Sequence, residues 1–519
     1  MLSRKIMGEI AAHGSHNRVL ITGHVLLCNS LLNLMGQVVP LLVGVATVPL
    51  IVRGLGPERF GLLSIAWVVL SYSAVFDLGL GRASTKFVAE ALARGERERV
   101  SSIVAAAVTA QGILGVVGGL IFVLAAPVLV SAWLKVPAPL MEEATEAFRL
   151  LGLAVPLVMV SGSLSGALQG AQRFDWVNAV QVPAVVGIYL AALVGGMLGL
   201  GLVGVVALIV GVRALALIGL LVAYTHCVAG FQPFPASMLR ILLSFGGWVG
   251  VSNVVGPILV YGDRVLLGFL VSTAAVGYYA APYEVVTRAM LVLPTAASAA
   301  LFSSFSAWAA LGDRDALSKA FGRAVKYLLL LGGGAAAVFV VFADLVLGFW
   351  LGPDYAEHSA WAMRVLAVGV LVNSLAHVPY AALQAHGRSD LTGKFHLAEL
   401  PIHIVAVWLL ISVWGVTGAA VAWAARVVID SALLFWAARR ILGVSGRSFQ
   451  EAGMGRVAVG LLGFSLVLAV VRAYGVHVGA TLQWSLPVLV LLSLAVVGWH
   501  VLLDDVDRRV ILAWVRKKW

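Results

Sequence analysis

Apolar stretches of about twenty residues follow one another along the chain, separated by short polar or glycine-bearing breaks. Each can cross the roughly 30 Å hydrocarbon layer of a bilayer as a helix. Fourteen are readable, with cores near 25–51, 60–80, 101–130, 147–167, 177–199, 203–224, 241–270, 277–304, 325–350, 361–385, 396–413, 416–438, 457–473 and 484–503. Lipid offers nothing to backbone N–H and C=O groups, so each stretch predicts a helix that satisfies them internally. The pattern therefore predicts an all-α integral membrane protein with about 14 transmembrane helices.

The polar breaks are unequal in charge. One set holds Arg82, Lys86, Arg94, Arg97 and Arg99, then Arg173, Arg240, Arg314, Lys319, Arg323, Lys326, Arg388, Lys394, Arg439, Arg440, Arg447 and Arg456. The other holds little beyond Arg53, Arg59, Lys135 and Arg472. By the positive-inside rule the basic breaks and both termini are expected in the cytoplasm. The even span count agrees. Composition strengthens this reading: 61% of residues are hydrophobic and 11% charged, against about a quarter charged in soluble domains. The net charge of +11 follows topology, with some attraction to membrane lipids, and does not predict nucleic-acid binding. Two cysteines, Cys28 and Cys227, make no disulfide framework. Residues 1–24 lack a signal-peptide core and cleavage pattern, so the first span is expected to act as an uncleaved signal.

The spans also repeat. Ala167-Leu-Gln-Gly-Ala-Gln-Arg173-Phe-Asp175 returns as Ala382-Leu-Gln-Ala-His-Gly-Arg388-Ser-Asp390, at an offset of 215 positions. Gly61 pairs with Gly277 and Trp67 with Tyr283 at 216, and Gly201 and Gly204 pair with Gly415 and Gly418 at 214. Constant spacing in a common order indicates duplication of a six-helix unit. Both copies then insert in the same orientation, related by a pseudo-twofold axis along the membrane normal, with a substrate site expected between them. The predicted division is a cytoplasmic segment 1–24, an N-lobe 25–224, a linker 225–240, a C-lobe 241–440, two further helices in 441–503 and a cytoplasmic tail 504–519.

No enzyme motif emerges. Gly79-Leu-Gly81 and Gly199-Leu-Gly201 follow no soluble strand and read as helix ends. His396, Glu399 and His403 share a helix face and read as a polar face toward a cavity or neighbour, with no metal expected. Charges inside spans carry more information, because each costs roughly 2.5–3.5 kcal/mol at a helix centre unless paired or hydrated. Asp263 and Arg264 in the seventh span, and Glu284 and Arg288 in the eighth, sit about 10–17 Å below one surface at 1.5 Å rise per residue. Glu284 and Arg288 share a face at i, i+4. Tyr279 and Tyr283 stand nearby, with Trp67 on the duplicate helix and Arg53 at the first turn. Two readings of this set stay open: a hydrated cavity for an anionic, sugar-bearing group, with arginine forks for phosphate, or buried ion pairs that fix helix packing. For Arg213 and Arg426 the packing role is favoured. Asp263 and Glu284 are candidate carriers of a coupling ion of unknown kind, and no cofactor is expected.

Gly54-Leu-Gly-Pro-Glu-Arg-Phe-Gly61, Asp77-Leu-Gly-Leu-Gly-Arg82-Ala and Ala275-Val-Gly-Tyr-Tyr279-Ala-Ala-Pro-Tyr283 resemble polysaccharide-biosynthesis flippases of the O-antigen (Wzx) type. These belong to the multidrug/oligosaccharidyl-lipid/polysaccharide superfamily. The likeness runs over roughly residues 30–445. It implies a V-shaped, two-lobed bundle with a central cationic cavity and alternating access. It further implies an undecaprenyl-pyrophosphate-linked oligosaccharide as substrate, moved from the cytoplasmic to the periplasmic leaflet of the bacterial inner membrane, with a glycan polymerase or assembly proteins as further partners. Competing readings are a multidrug or organic-cation antiporter of the same superfamily, a membrane-embedded sugar transferase or polymerase, and a scaffold for envelope assembly.

Overall fold

A computed structural model of the chain describes residues 23–76, 80–228, 230–311 and 313–475. The fourteenth predicted span, the two terminal segments and Asp77 lie outside these residues. The described residues are helical almost throughout, and no strand occurs among them. In chain order the helices are α1 (Gly23–Phe76), α2 (Leu80–Ala93), α3 (Arg97–Val128), α4 (Met141–Gly170), α5 (Phe174–Met197), α6 (Gly201–Cys227), α7 (Ala236–Leu270), α8 (Thr273–Leu311), α9 (Arg314–Trp350), α10 (Pro353–Ala385), α11 (Ser389–Leu442), α12 (Gly446–Glu451) and α13 (Met454–Gly475). A π turn at Leu129–Trp133 closes α3.

Spans one and two form the two arms of α1, broken at Gly56, whose φ of 76° and ψ of 166° suit glycine and leave Pro57 to open the second arm. Spans eleven and twelve are likewise the arms of α11, broken at Gly415 with φ 53°. Several helices outrun their apolar cores. α9 starts at Arg314 and α10 at Pro353, well before the cores read from 325 and 361. Hydropathy reports the lipid-facing length, while the backbone ladder continues into the aqueous boundary where charges are solvated.

The two six-helix halves share backbone detail at the repeated positions. Gln172 and Gly387 are both left-handed, with φ of 59° and 72°. The Arg173 and Arg388 amides donate to the carbonyls of Leu168 and Leu383 at 2.8 and 2.9 Å. Each arginine pairs with the aspartate two residues on, Asp175 and Asp390. The repeated glycines meet across the pseudo-twofold axis. A Cβ on Gly61 would fall 1.8 Å from the Thr273 carbonyl oxygen, and one on Gly277 would fall 2.6 Å from that of Pro57. Only glycine lets these two helix backbones touch.

The short turns at Gly56, Leu200, Ser272, Leu351 and Gly415 lie at one end of the bundle, and the basic breaks at the other. At the turn end one apolar core runs through both halves, joining Phe60, Leu63, Tyr189 and Val206 to Tyr279, Val286, Leu366 and Trp423. Toward the basic end it divides. Val88, Val104, Leu168 and Tyr224 form a core within the first half that also takes in Leu242. Phe321, Leu328, Leu383 and Leu434 form another within the second. The lobes are thus joined at the turn end and have separate interiors at the basic end. α13 docks outside the second lobe, Phe464 and Leu468 packing with Phe342 of α9.

Candidate functional site

The strongest concentration of intramembrane charge lies where the shared core gives way. α7 and α8 are joined by the two residues Val271 and Ser272, so they run antiparallel and their charges converge. The Glu284 carboxylate takes one arginine on each oxygen: Arg264 Nη2 donates to Oε1 at 2.9 Å and Arg288 Nε donates to Oε2 at 2.7 Å. Asp263 accepts from the backbone N–H of Arg264 at 2.7 Å and from the Tyr279 hydroxyl. Two acids and two arginines make the group neutral as placed, in contrast to the cationic lining that the resemblance implies. Exposure rises along it. The side chain of Arg264 is 1% exposed, that of Glu284 17% and that of Arg288 36%. Arg264 is therefore sealed in protein, and Arg288 is the member that reaches accessible space.

Aromatic rings frame the charges. The Arg264 guanidinium lies 5.0 Å from the Tyr283 ring centroid and 5.3 Å from that of Tyr261. Tyr283 packs edge-on to Trp423 at 5.5 Å. Arg288 lies 5.3 Å from the ring of Tyr189, which belongs to α5 of the other lobe, and Tyr189 contacts Trp67 at 5.7 Å. A cation–π contact of this kind is worth about 0.5–2 kcal/mol depending on desolvation, and here it crosses between the halves. Asp263, Arg264, Glu284, Arg288, Tyr279, Tyr283 and Trp67 are thus brought into one connected group. Arg53 is not: it is exposed beside Gly54, whose Cβ direction faces Gly196. Sequence reasoning missed Tyr189, Tyr261 and Trp423. The signal available was a solitary ring within an apolar span, which gives no direction in space.

A second polar layer lies in the C-lobe, between the two arms of α11. His396 Nε2 is 3.7 Å from Asp430, and Arg426 Nη1 is 3.8 Å from Glu399. Glu399 and His403 are buried. Both Glu399 oxygens, His403 Nδ1, Arg426 Nε and Asp430 Oδ1 are enclosed without a hydrogen bond. The polar face expected from His396, Glu399 and His403 is thus turned toward the partner arm. No grouping with metal-ligand geometry occurs among the described residues.

The corresponding layer of the N-lobe is built differently. Ser163 of α4 and Gln111 of α3 are buried, Gln181 of α5 donates to Ser165 at 3.1 Å, and Arg213 of α6 is partly buried. Arg213 Nε is enclosed without a partner, and the residue makes no ion pair among the described residues.

The turn end carries the clasps that hold the lobes together. Arg59 of α1 grips Glu143 of α4 through two nitrogens at 2.8–3.1 Å, within the first lobe. Across the lobes, the Lys135 amide donates to the Gly268 carbonyl at 2.8 Å and its Nζ to that of Leu270 at 2.6 Å. The Trp350 indole donates to the Val45 carbonyl at 2.8 Å.

The family profile described as "Polysaccharide biosynthesis protein" matches residues 26–307. A putative O-antigen transporter of Shigella flexneri is 27% identical over 425 residues, covering 80% of this chain and 98% of that protein. Among solved structures, the lipid II flippase MurJ in an inward closed conformation superposes with a TM-score of 0.73 at 11% identity, covering 91% of this chain and 99% of that one. An inward-facing multidrug resistance MATE family transporter of the MOP superfamily gives 0.68 at 16% identity, covering 80% and 94%. At such identities the structures establish the fold alone: the chain is a multi-pass membrane protein of the architecture those transporters share.

Proposed function

Because this chain belongs to the polysaccharide biosynthesis protein family, we infer that it is a flippase carrying a lipid-linked oligosaccharide across the membrane for polysaccharide biosynthesis. The substrate head is an oligosaccharide on a polyprenyl pyrophosphate, taken as undecaprenyl pyrophosphate. It enters from the basic-loop side, read as cytoplasm, and leaves at the turn end, read as periplasm, in the bacterial inner membrane. The observation that carries this reading is the place of the Arg264–Glu284–Arg288 group. It stands where the shared core divides, with its most exposed arginine against a ring of the opposite lobe.

The mechanism follows from that placement. A guanidinium presents a planar fork of donors that fits phosphate oxygens, and the neighbouring rings offer flat apolar faces to sugars. Glu284 holds Arg288 through Nε, so the exposed part of the fork is aimed before the substrate arrives. An incoming pyrophosphate that draws Arg288 from Tyr189 would remove a contact between the lobes. Binding would thereby favour parting at the turn end, and the cycle needs no covalent step. The polyprenyl tail stays in lipid throughout.

The test is export of glycan in cells that produce it, with membrane levels of the protein matched. Arg264→Gln and Arg288→Gln are expected to abolish it or cut it by more than tenfold. Unchanged export in both variants would reject this site.

A further inference from the structure

Arg213 is a partly buried cation that makes no ion pair among the described residues. It lies on the inner stripe of α6, in register with Val206, Ile209, Ala216 and Leu220, all buried. The opposite stripe, Leu208, Leu215, Ile218 and Val222, is exposed and apolar and faces lipid. The residual accessibility of Arg213 therefore opens toward the protein interior. Along the stripe it falls in a gap. Ile209 belongs to the core shared by the lobes and Leu220 to the separate N-lobe core. Toward the basic end from that gap the N-lobe holds the polar groups Gln111, Ser163, Ser165 and Gln181: Val212 faces Gly187, while Gly219 faces Val180 beside Gln181, about two turns further along. From residue 99 to 141, and from 176 to 230, the sequence contains no aspartate or glutamate. Spans three, five and six thus provide no counter-charge, and span four carries none in 147–174.

A lone guanidinium at mid-membrane depth is retained where it meets water or a ligand anion. We propose that Arg213 is a substrate-binding residue of the N-lobe that receives an oxyanion of the transported head group. The proposal rests on the flippase reading above. The head group then spans two cationic contacts on opposite lobes, Arg288 on α8 and Arg213 on α6. The N-lobe contact is the stronger anion receptor of the two, because no carboxylate among the described residues competes for it. The oxyanion has two chemical sources, the pyrophosphate link and an acidic sugar, and Arg213 suits both.

The experiment uses the purified full-length chain in nanodiscs, with a short-chain polyprenyl pyrophosphate and a uronate-bearing oligosaccharide as separate probes, and thermal unfolding as the structural readout. Arg213→Leu and Arg213→Gln are expected to weaken one probe by at least tenfold without lowering the unfolding temperature, because they remove an unpaired buried charge. Arg213→Lys should recover part of the binding. Loss of the lipid probe alone identifies the pyrophosphate, and loss of the oligosaccharide alone identifies the sugar acid. Unchanged binding of both probes overturns the proposal while leaving the flippase reading intact. So does destabilisation by Leu and Gln that Lys repairs, since that is the signature of a structural cation. Failure of the parent chain to bind either probe defeats the flippase reading itself. Asp77→Asn is the control for a partner in the undescribed segment. If Asp77→Asn is destabilised and the double variant with Arg213→Leu is restored, the arginine is internally paired and the proposal falls.

Discussion

The sixth and twelfth spans carry an arginine at similar depth, and the two lobes treat it in opposite ways. Arg426 in the C-lobe has Glu399 at 3.8 Å, with Asp430 and two histidines in the same layer. Arg213 in the N-lobe has serines and glutamines toward its basic-end side and no ion pair among the described residues. Duplication copied the helices, the left-handed turns and the touching glycines. It did not copy the charge balance. One lobe neutralises its mid-depth cation internally. The other leaves it open, as a carrier must do somewhere if an anion is to be bound and later released. The asymmetry between the lobes therefore sets where net positive charge is offered.

The largest effect should come from breaking the neutral group. Glu284→Gln leaves Arg264, 1% exposed, without its side-chain ion pair. Removing one member of a buried pair typically costs about 3–5 kcal/mol. A clear fall in unfolding temperature and in membrane level is expected. The double change Glu284→Leu/Arg264→Leu should recover much of it. A Gln variant as stable as the parent would mean that Arg264 draws its compensation elsewhere.

Next comes the C-lobe layer. Glu399→Gln should lower stability by roughly 1–3 kcal/mol, because it removes the carboxylate 3.8 Å from the enclosed Arg426 guanidinium. The direct contrast is with Arg213→Leu, which should cost nothing. Thermal unfolding of the two variants side by side measures how unlike the lobes are. Equal behaviour would erase the distinction on which the N-lobe assignment stands.

Gly61→Ala and Gly277→Ala provide the symmetric control. Each added methyl group strikes backbone of the opposite lobe, so neither clash can be relieved by a rotamer change. Both should shift the population toward parting at the turn end by about tenfold or more, equivalent to about 1.4 kcal/mol. Labelling of a cysteine placed on the α1 turn reads that shift. A large response from one glycine and none from its counterpart would show that the pseudo-twofold axis does not pass between them.

Much of this was legible in the sequence, and the limits have physical causes. Hydropathy located thirteen described spans, and the constant offset located the glycines and arginines that the structure superposes. The convergence of Asp263, Arg264, Glu284 and Arg288 followed from depth and a short connection. What helical period cannot supply is the identity of the neighbour. It assigns a face to Glu399 without naming Arg426 as its partner, and it leaves Tyr189 as one ring in an apolar run. The same limit applies to the four charges themselves: they were visible, but not that each arginine would be tied to Glu284. Helix ends were blurred because lipid-facing length and hydrogen-bonded length differ, as at Arg314 and Pro353.

The smallest expected effect isolates a single clasp. Pro49 has no N–H, so the Val45 carbonyl, four residues earlier in α1, lacks its normal helical donor. The Trp350 indole of the other lobe donates to that carbonyl at 2.8 Å. Proline in α1 thus creates an acceptor, and tryptophan in α9 uses it to bind lobe to lobe at the turn end. Trp350→Phe keeps an aromatic ring at the position and removes the indole N–H and its one hydrogen bond, worth about 1 kcal/mol. Opening at the turn end should become about fivefold more populated, with little change in overall unfolding temperature. Pro49→Ala should act in the same direction, because a restored helical N–H competes for the same carbonyl. If Pro49→Ala leaves opening unchanged while Trp350→Phe increases it, the indole is held by its packing and the orphaned carbonyl is incidental. Equal effects, non-additive in the double variant, would establish that helix chemistry in one lobe sets the strength of its contact with the other.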